Sequence, residues 1–144
     1  PEKPTLIKTA RALHLENKVR FLGFVPSNTL PHVYNVADVF VAPFKILGRD
    51  MEGFPLVVQE AQACGIPVIS THTGSLPELI KNNVSGILVN TESPSEIAEK
   101  IRTLYQRPDL RKEMGKNART RAHTILNWKV TIAKIENILR ATLT

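Results

Sequence analysis

Four short β-branched runs in this chain lack the polar–apolar alternation of a strand with one wet face: Val19-Arg20-Phe21-Leu22, Asp38-Val39-Phe40-Val41-Ala42, Pro67-Val68-Ile69-Ser70 and Ile87-Leu88-Val89. Strands of that kind are covered on both sides, which is the habit of parallel sheets. Stripes of helical period separate them, bounded by Gly, Pro and Asn. Strands alternating with helices imply right-handed βαβ crossovers. The pattern therefore predicts an α/β fold, a three-layer doubly wound parallel sheet with a C-terminal helical tail, forming one domain over residues 1–144.

The helices are placed by their end signals. Thr5 to Leu15 and Ser27 to Val36 flank the first run, and Pro55 to Cys64 follows the second, with Gly65 as its left-handed cap. Ser75-x-x-Glu78 and Ser93-x-x-Glu96 are capping patterns that open two more. The second of these is expected to bury Ile97, Ile101 and Leu104. Pro108 starts another, and Trp128, Ile132, Ile135 and Leu139 form one face of the last, with Trp128 expected in the core. Doubly wound sheets bind ligands beyond the carboxyl ends of their strands. The loops to watch are Gly23–Ser27, Pro43–Phe54 and Thr71–Ser75.

Composition narrows the function. At 42% hydrophobic and 22% charged residues the chain is an ordinary globular sequence. No apolar run approaches the ~18–20 residues of a membrane span, and the first residues do not read as the basic–apolar–small pattern of a secretory signal. Cys64 is the lone cysteine, so a disulfide within the chain and a cysteine-based metal site are excluded. His14, His32, His72 and His123 match no metal spacing. The formal charge of +6 favours anionic partners. Much of it lies in Arg107, Arg111, Lys112, Lys116, Arg119 and Arg121, a pattern that is usually a solvated helix face but also suits an anionic membrane surface. Nucleic acid is not expected as a partner, because aromatic residues are only 6% and do not interleave with the basic ones.

The most informative stretch is Glu52-Gly53-Phe54-Pro55-Leu56-Val57-Val58-Gln59-Glu60. It follows a strand and opens a helix. Gly53 permits close backbone approach, and the N–H groups of Phe54, Leu56 and Val57 have no partner within the helix. With the positive dipole end they make a phosphate site. Glu60 lies roughly 7–8 Å further along the axis at 1.5 Å per residue, about the reach from a diphosphate to its ribose. Its neighbours Leu56, Val57, Ala61 and Cys64 are apolar. A carboxylate there is expected to be partly buried and to need donors, which two ribose hydroxyls would supply. The plainer alternative is that Glu52 complements the helix dipole and Glu60 pairs with a structural Lys or Arg.

Around this stretch stand Arg20-Phe21-Leu22-Gly23-Phe24-Val25-Pro26, Glu60-Ala61-Gln62-Ala63-Cys64-Gly65-Ile66-Pro67-Val68-Ile69, Gly74-Ser75-Leu76-Pro77-Glu78-Leu79-Ile80 and Gly86-Ile87-Leu88-Val89. Their order and spacing resemble the C-terminal domain of family 4 glycosyltransferases over nearly all 144 residues. The resemblance implies a GT-B fold, a retaining transfer of sugar from a UDP-, GDP- or ADP-sugar to a hydroxyl, and no metal or other cofactor. It assigns the donor sugar to Glu52, Gly53 and Phe54, the diphosphate to Leu56 and Val57, the ribose to Glu60, and the base to Gly23, Phe24 and Val25. The longer loop ending Asp50-Met51-Glu52-Gly53 resembles members that build bacterial surface polysaccharides, so surface polysaccharide or glycoconjugate synthesis is expected, in the cytoplasm, with the basic helix from Arg107 suited to peripheral membrane contact.

The family's basic pair, its first strand or strands and its acceptor-binding N-terminal domain would all precede Pro1. No catalytic residue is therefore assigned here, the N-terminal domain is an expected partner, and the fragment alone is expected to bind donor weakly and transfer nothing. Pro55 removes one amide donor, and the longer loop Lys45–Asp50 carries Lys45 and Arg49, more naturally solvated than phosphate-bound. Rival readings are a non-catalytic nucleotide-binding module and a nucleotide-sugar epimerase of the same architecture.

Overall fold

The computed structural model describes residues 2–45, 55–125 and 127–142. The chain divides into two compact units, residues 1–30 and 31–144.

The first unit is built on α1 (Lys3–Ala12), which has Pro4 in its first turn, where a missing N–H costs nothing. Its end is a Schellman turn: Leu15 N–H donates to the Ala10 carbonyl at 2.8 Å and His14 N–H to that of Arg11 at 2.9 Å. His14 supplies the left-handed residue, at φ 55°. The run Val19–Leu22 does not form the expected strand. No partner strand reaches it among the described residues, and Val19, Phe21 and Leu22 are all exposed. An apolar run becomes a strand only where a neighbour completes the hydrogen-bond ladder.

The second unit holds the sheet. α2 (Leu30–Asn35) leads into β1 (Phe40–Ala42), and α3 (Leu56–Ala63) into β2 (Val68–Thr71). α4 (Leu76–Leu79) precedes β3 (Gly86–Val89), and three helices follow: α5 (Pro94–Gln106), α6 (Pro108–Thr124) and α7 (Trp128–Thr142). The strands pair in parallel in the order β1-β2-β3, with Phe40 opposite Val68 and Ile69 opposite Ile87. Every residue of β2 is buried, as a central parallel strand requires. β1 differs from expectation: it is three residues long and Val41 is exposed, because it lies at the edge of the described sheet.

The pleat sorts the core into two faces. Ile69, Ile87 and Val89 pack with Leu104 of α5 and Met114 of α6. The opposite face meets α3 and Ile80, the residue just past α4: a Cβ on Gly86 would stand 2.9 Å from the Ile80 methyl and 2.6 Å from the Val68 carbonyl oxygen. Helices on both faces give the three layers expected. Two burial expectations fail. Ile101 is exposed on α5. On α7 no residue is buried, and Trp128 is 77% exposed where a core position was expected. The stripe on α7 has the right period but no surface among the described residues to receive it.

The capping patterns also act differently from expectation. Neither Ser75 nor Ser93 makes a side-chain cap bond. Glu96 reaches back to Asn90 instead, accepting from its backbone N–H at 2.9 Å and its side-chain amide at 3.2 Å.

Candidate functional site

α3 carries the centre of the site. Its end is fixed by a second Schellman turn, with Ile66 N–H donating to Ala61 at 3.1 Å and Gly65 N–H to Gln62 at 2.9 Å. Gly65, at φ 78°, is the left-handed cap the sequence indicated. One face of α3 (Val58, Ala61 and Gln62) is buried. The opposite face presents Leu56, Val57 and Glu60, all exposed. These positions are three and four apart, so they stand on one side of the helix. The amides of Leu56 and Val57 belong to the first turn, where the helix offers no acceptor. The residues expected to hold diphosphate and ribose thus share one open helix face.

Glu60 departs from expectation in one respect. It is exposed rather than partly buried, because Leu56 and Val57 beside it are also in the open. Its partner is neither Lys nor Arg. The Tyr34 hydroxyl donates to Glu60 Oε2 at 2.9 Å. The sequence reading missed Tyr34. Its signal was available: a tyrosine on the buried stripe of a helix needs a partner for its hydroxyl.

Above β1 the chain exit is held by β2. The Thr71 hydroxyl donates to the Phe44 carbonyl at 2.7 Å and accepts from the Phe44 N–H at 3.0 Å, while the Ser70 hydroxyl donates to Ala42 at 2.6 Å. Both hydroxyls are buried and hydrogen-bonded, which fixes where the segment after β1 begins. A cleft of about 310 Å³ lies here, between Pro43–Lys45 and Glu92–Ile97, beyond the carboxyl ends of the strands. Lys45 pairs with Glu92 across it at 3.3 Å. Both side chains are exposed, so the pair stabilises little. His72 is an exposed loop residue whose N–H donates to Val89 at 2.8 Å.

Glu52, Gly53, Phe54 and Arg49 lie outside the described residues. Gly23, Phe24 and Val25 belong to the first unit. There Gly23 has φ 70° with open space at its Cβ position, and Phe24 is 91% exposed.

The basic helix α6 is less free than its charge count suggests. Arg111 bonds Asp38 at 3.1 Å and the Leu104 carbonyl at 3.1 Å. Arg121 donates to the carbonyls of Leu79 and Glu78. Both arginines tie α6 to the fold. Among the described residues no helix is long and apolar enough to cross a membrane, and no group of three His, Cys, Asp or Glu could hold a metal ion.

The sequence pattern described as "Glycosyl transferases group 1" matches residues 1–121. The chain belongs to that family. It is 32% identical over 142 residues to the GDP-mannose-dependent alpha-(1-6)-phosphatidylinositol monomannoside mannosyltransferase of Mycobacterium tuberculosis, covering 97% of this chain and 37% of that protein. Sucrose-phosphate synthase from Thermosynechococcus elongatus superposes with a TM-score of 0.84 at 27% identity, over 99% of this chain and 34% of that one. An Anabaena protein solved in complex with UDP-glucose gives a TM-score of 0.82 at 26% identity, over 96% and 36%. These likenesses place the chain in the GT-B fold. It spans about a third of the length of the curated relatives it matches, between 27% and 37%.

Proposed function

We propose that this chain is the donor-binding part of a retaining glycosyltransferase that moves a sugar from a nucleoside diphosphate sugar to a hydroxyl acceptor. The observation that carries the reading is the open face of α3, where exposed Leu56 and Val57 begin the helix, with first-turn amides it leaves free, and Glu60 stands exposed about a turn further on. Amides at a helix start favour a diphosphate, and a carboxylate one turn further suits the two hydroxyls of its ribose. The Anabaena relative bound to UDP-glucose supports a nucleotide-sugar ligand for this fold. By resemblance, Glu52, Gly53 and Phe54 hold the donor sugar, and Gly23, Phe24 and Val25 lie against the base.

During transfer, negative charge grows on the leaving diphosphate as the glycosidic bond breaks. Oriented amides stabilise that charge without reorganising. By the same resemblance, none of these 144 residues is assigned to the family's cationic pair or to its acceptor site. The isolated chain should therefore bind donor weakly and transfer nothing. The placement in surface polysaccharide or glycoconjugate synthesis, in the cytoplasm beside the membrane, is part of the same proposal.

The test uses the full-length enzyme. Titration calorimetry with UDP-, GDP- and ADP-sugars should find one that binds, and Glu60→Gln should weaken it at least tenfold. Unchanged affinity in that variant overturns the reading. Anomeric analysis of the product by NMR decides retention.

A further inference from the structure

Glu60 stands on an exposed helix face, yet it is not a free rotor. The Tyr34 hydroxyl meets its Oε2 at 2.9 Å. Tyr34 itself is fixed: it is buried on α2, and its ring packs edge-on against Phe40 of β1 with centroids 5.6 Å apart. Two elements on either side of the β1 connection thus converge on one carboxylate. We infer that Tyr34 is a positioning residue for nucleotide recognition, locking the Glu60 carboxylate so that its remaining lone pairs accept from the vicinal hydroxyls of a ribose. The inference rests on the ribose role proposed for Glu60.

The geometry fits that task. A carboxylate offers about four acceptor positions, and one is taken by the phenol. Oε1 and one position on Oε2 remain, enough for a cis-diol. An unrestrained glutamate would have to lose its rotamer freedom on binding, and a pre-formed hydrogen bond removes that cost from the binding step. The donor is also constant. Burial, and then the neighbouring carboxylate, push the Tyr34 phenol above its ordinary range, so it keeps its proton wherever the enzyme works. A tyrosine serving only the fold could have left its hydroxyl in solvent or on a backbone carbonyl. Here it goes to the acidic side chain on the open face.

The experiment measures binding of UDP and GDP, and of their 2′,3′-dideoxy counterparts, to the full-length enzyme. The wild type should prefer the ribose form. Tyr34→Phe keeps the buried ring and deletes the hydroxyl. It should weaken the ribose nucleotide about 5- to 10-fold and leave the dideoxy nucleotide unchanged. Tyr34→Met, which also fills the buried site without a hydroxyl and leaves Glu60 intact, should lose the same discrimination and provides the answer should Tyr34→Phe fold poorly. An equal loss for both nucleotides marks a merely structural tyrosine and overturns the inference. So does full discrimination in Tyr34→Phe when Glu60→Gln abolishes it. Discrimination that survives Glu60→Gln overturns instead the ribose role of Glu60.

Discussion

At the scale of single residues, two positions show how a conformation or a proton can set stability. His14 occupies the left-handed cap of α1 at φ 55°, where a side chain strains the backbone and glycine does not. His14→Gly should raise the stability of the first unit by up to about 1 kcal/mol, read as a higher urea midpoint. A lower midpoint would mean the imidazole contributes a contact that outweighs the strain. Tyr34 and Cys64 act through protons. Burial, opposed in part by Arg119, holds the Cys64 thiol above its ordinary value, and burial with Glu60 does the same for Tyr34. Both groups are neutral in the fold and ionise first in the unfolded chain. Their contribution is complete below the unfolded values, about 9 for the thiol and 10 for the phenol. It is lost as pH rises past them. Denaturation midpoints should fall from about pH 9 upward, and Tyr34→Phe should flatten the part of that decline above pH 10. Of these residues Glu60 could be placed on its helix from the sequence, because its spacing from the helix start is local. Tyr34 was legible only as a tyrosine whose hydroxyl needs a partner; that the partner is Glu60 emerges only when α2 and α3 are brought together across β1.

At the scale of elements, a glycine and a glutamine carry the contact between helices. Gly115 lies in the middle of α6, where glycine costs about 1 kcal/mol against alanine. The reason is steric: a Cβ there would stand 2.2 Å from the Gly65 carbonyl oxygen, so α6 rests directly on the turn ending α3. Gly115→Ala should lower stability by roughly 1–3 kcal/mol despite its better helix propensity, measured by urea unfolding. Gln62 is fully buried on α3, and its amide donates to the Leu79 carbonyl at 3.2 Å while its Oε1 has no hydrogen-bond partner among the described residues. Leu79 keeps a second donor in Arg121 Nε at 2.9 Å. Gln62→Met removes a buried orphan oxygen without orphaning Leu79, and should leave stability unchanged or raise it by up to about 1 kcal/mol. A loss above 2 kcal/mol would show that Oε1 is satisfied in solution. The helix ending at Gly65 could be read from local pattern because its cap is local, and the three observed strands because their apolar runs each find a neighbour in the sheet. Val19–Leu22 could not, because strand formation needs a partner that local pattern never reveals.

At the scale of the whole molecule, burial is distributed unevenly, and dynamics should follow it. β2 is buried from Val68 to Thr71 and is paired on both sides by β1 and β3. By contrast, α7 buries no residue, and Trp128, Ile132, Ile135 and Leu139 are between 50% and 77% exposed. An isolated helix of about 15 residues is marginal in water, so α7 depends on its own propensity for whatever order it has. Its apolar spacing was plain in the sequence, but spacing shows only that a face is suited to burial, not that a surface exists to cover it. Hydrogen exchange on the 144-residue chain should therefore be slowest in β2 and the buried side of α3, and fast throughout α7. Trp128, the only tryptophan, gives an independent optical readout of the same region. Its emission should be of the solvent-exposed type and readily quenched by iodide. Strong protection of α7 together with a blue-shifted, unquenched tryptophan would show that this face is covered in solution, and the uneven distribution of stability would then not hold for the last helix.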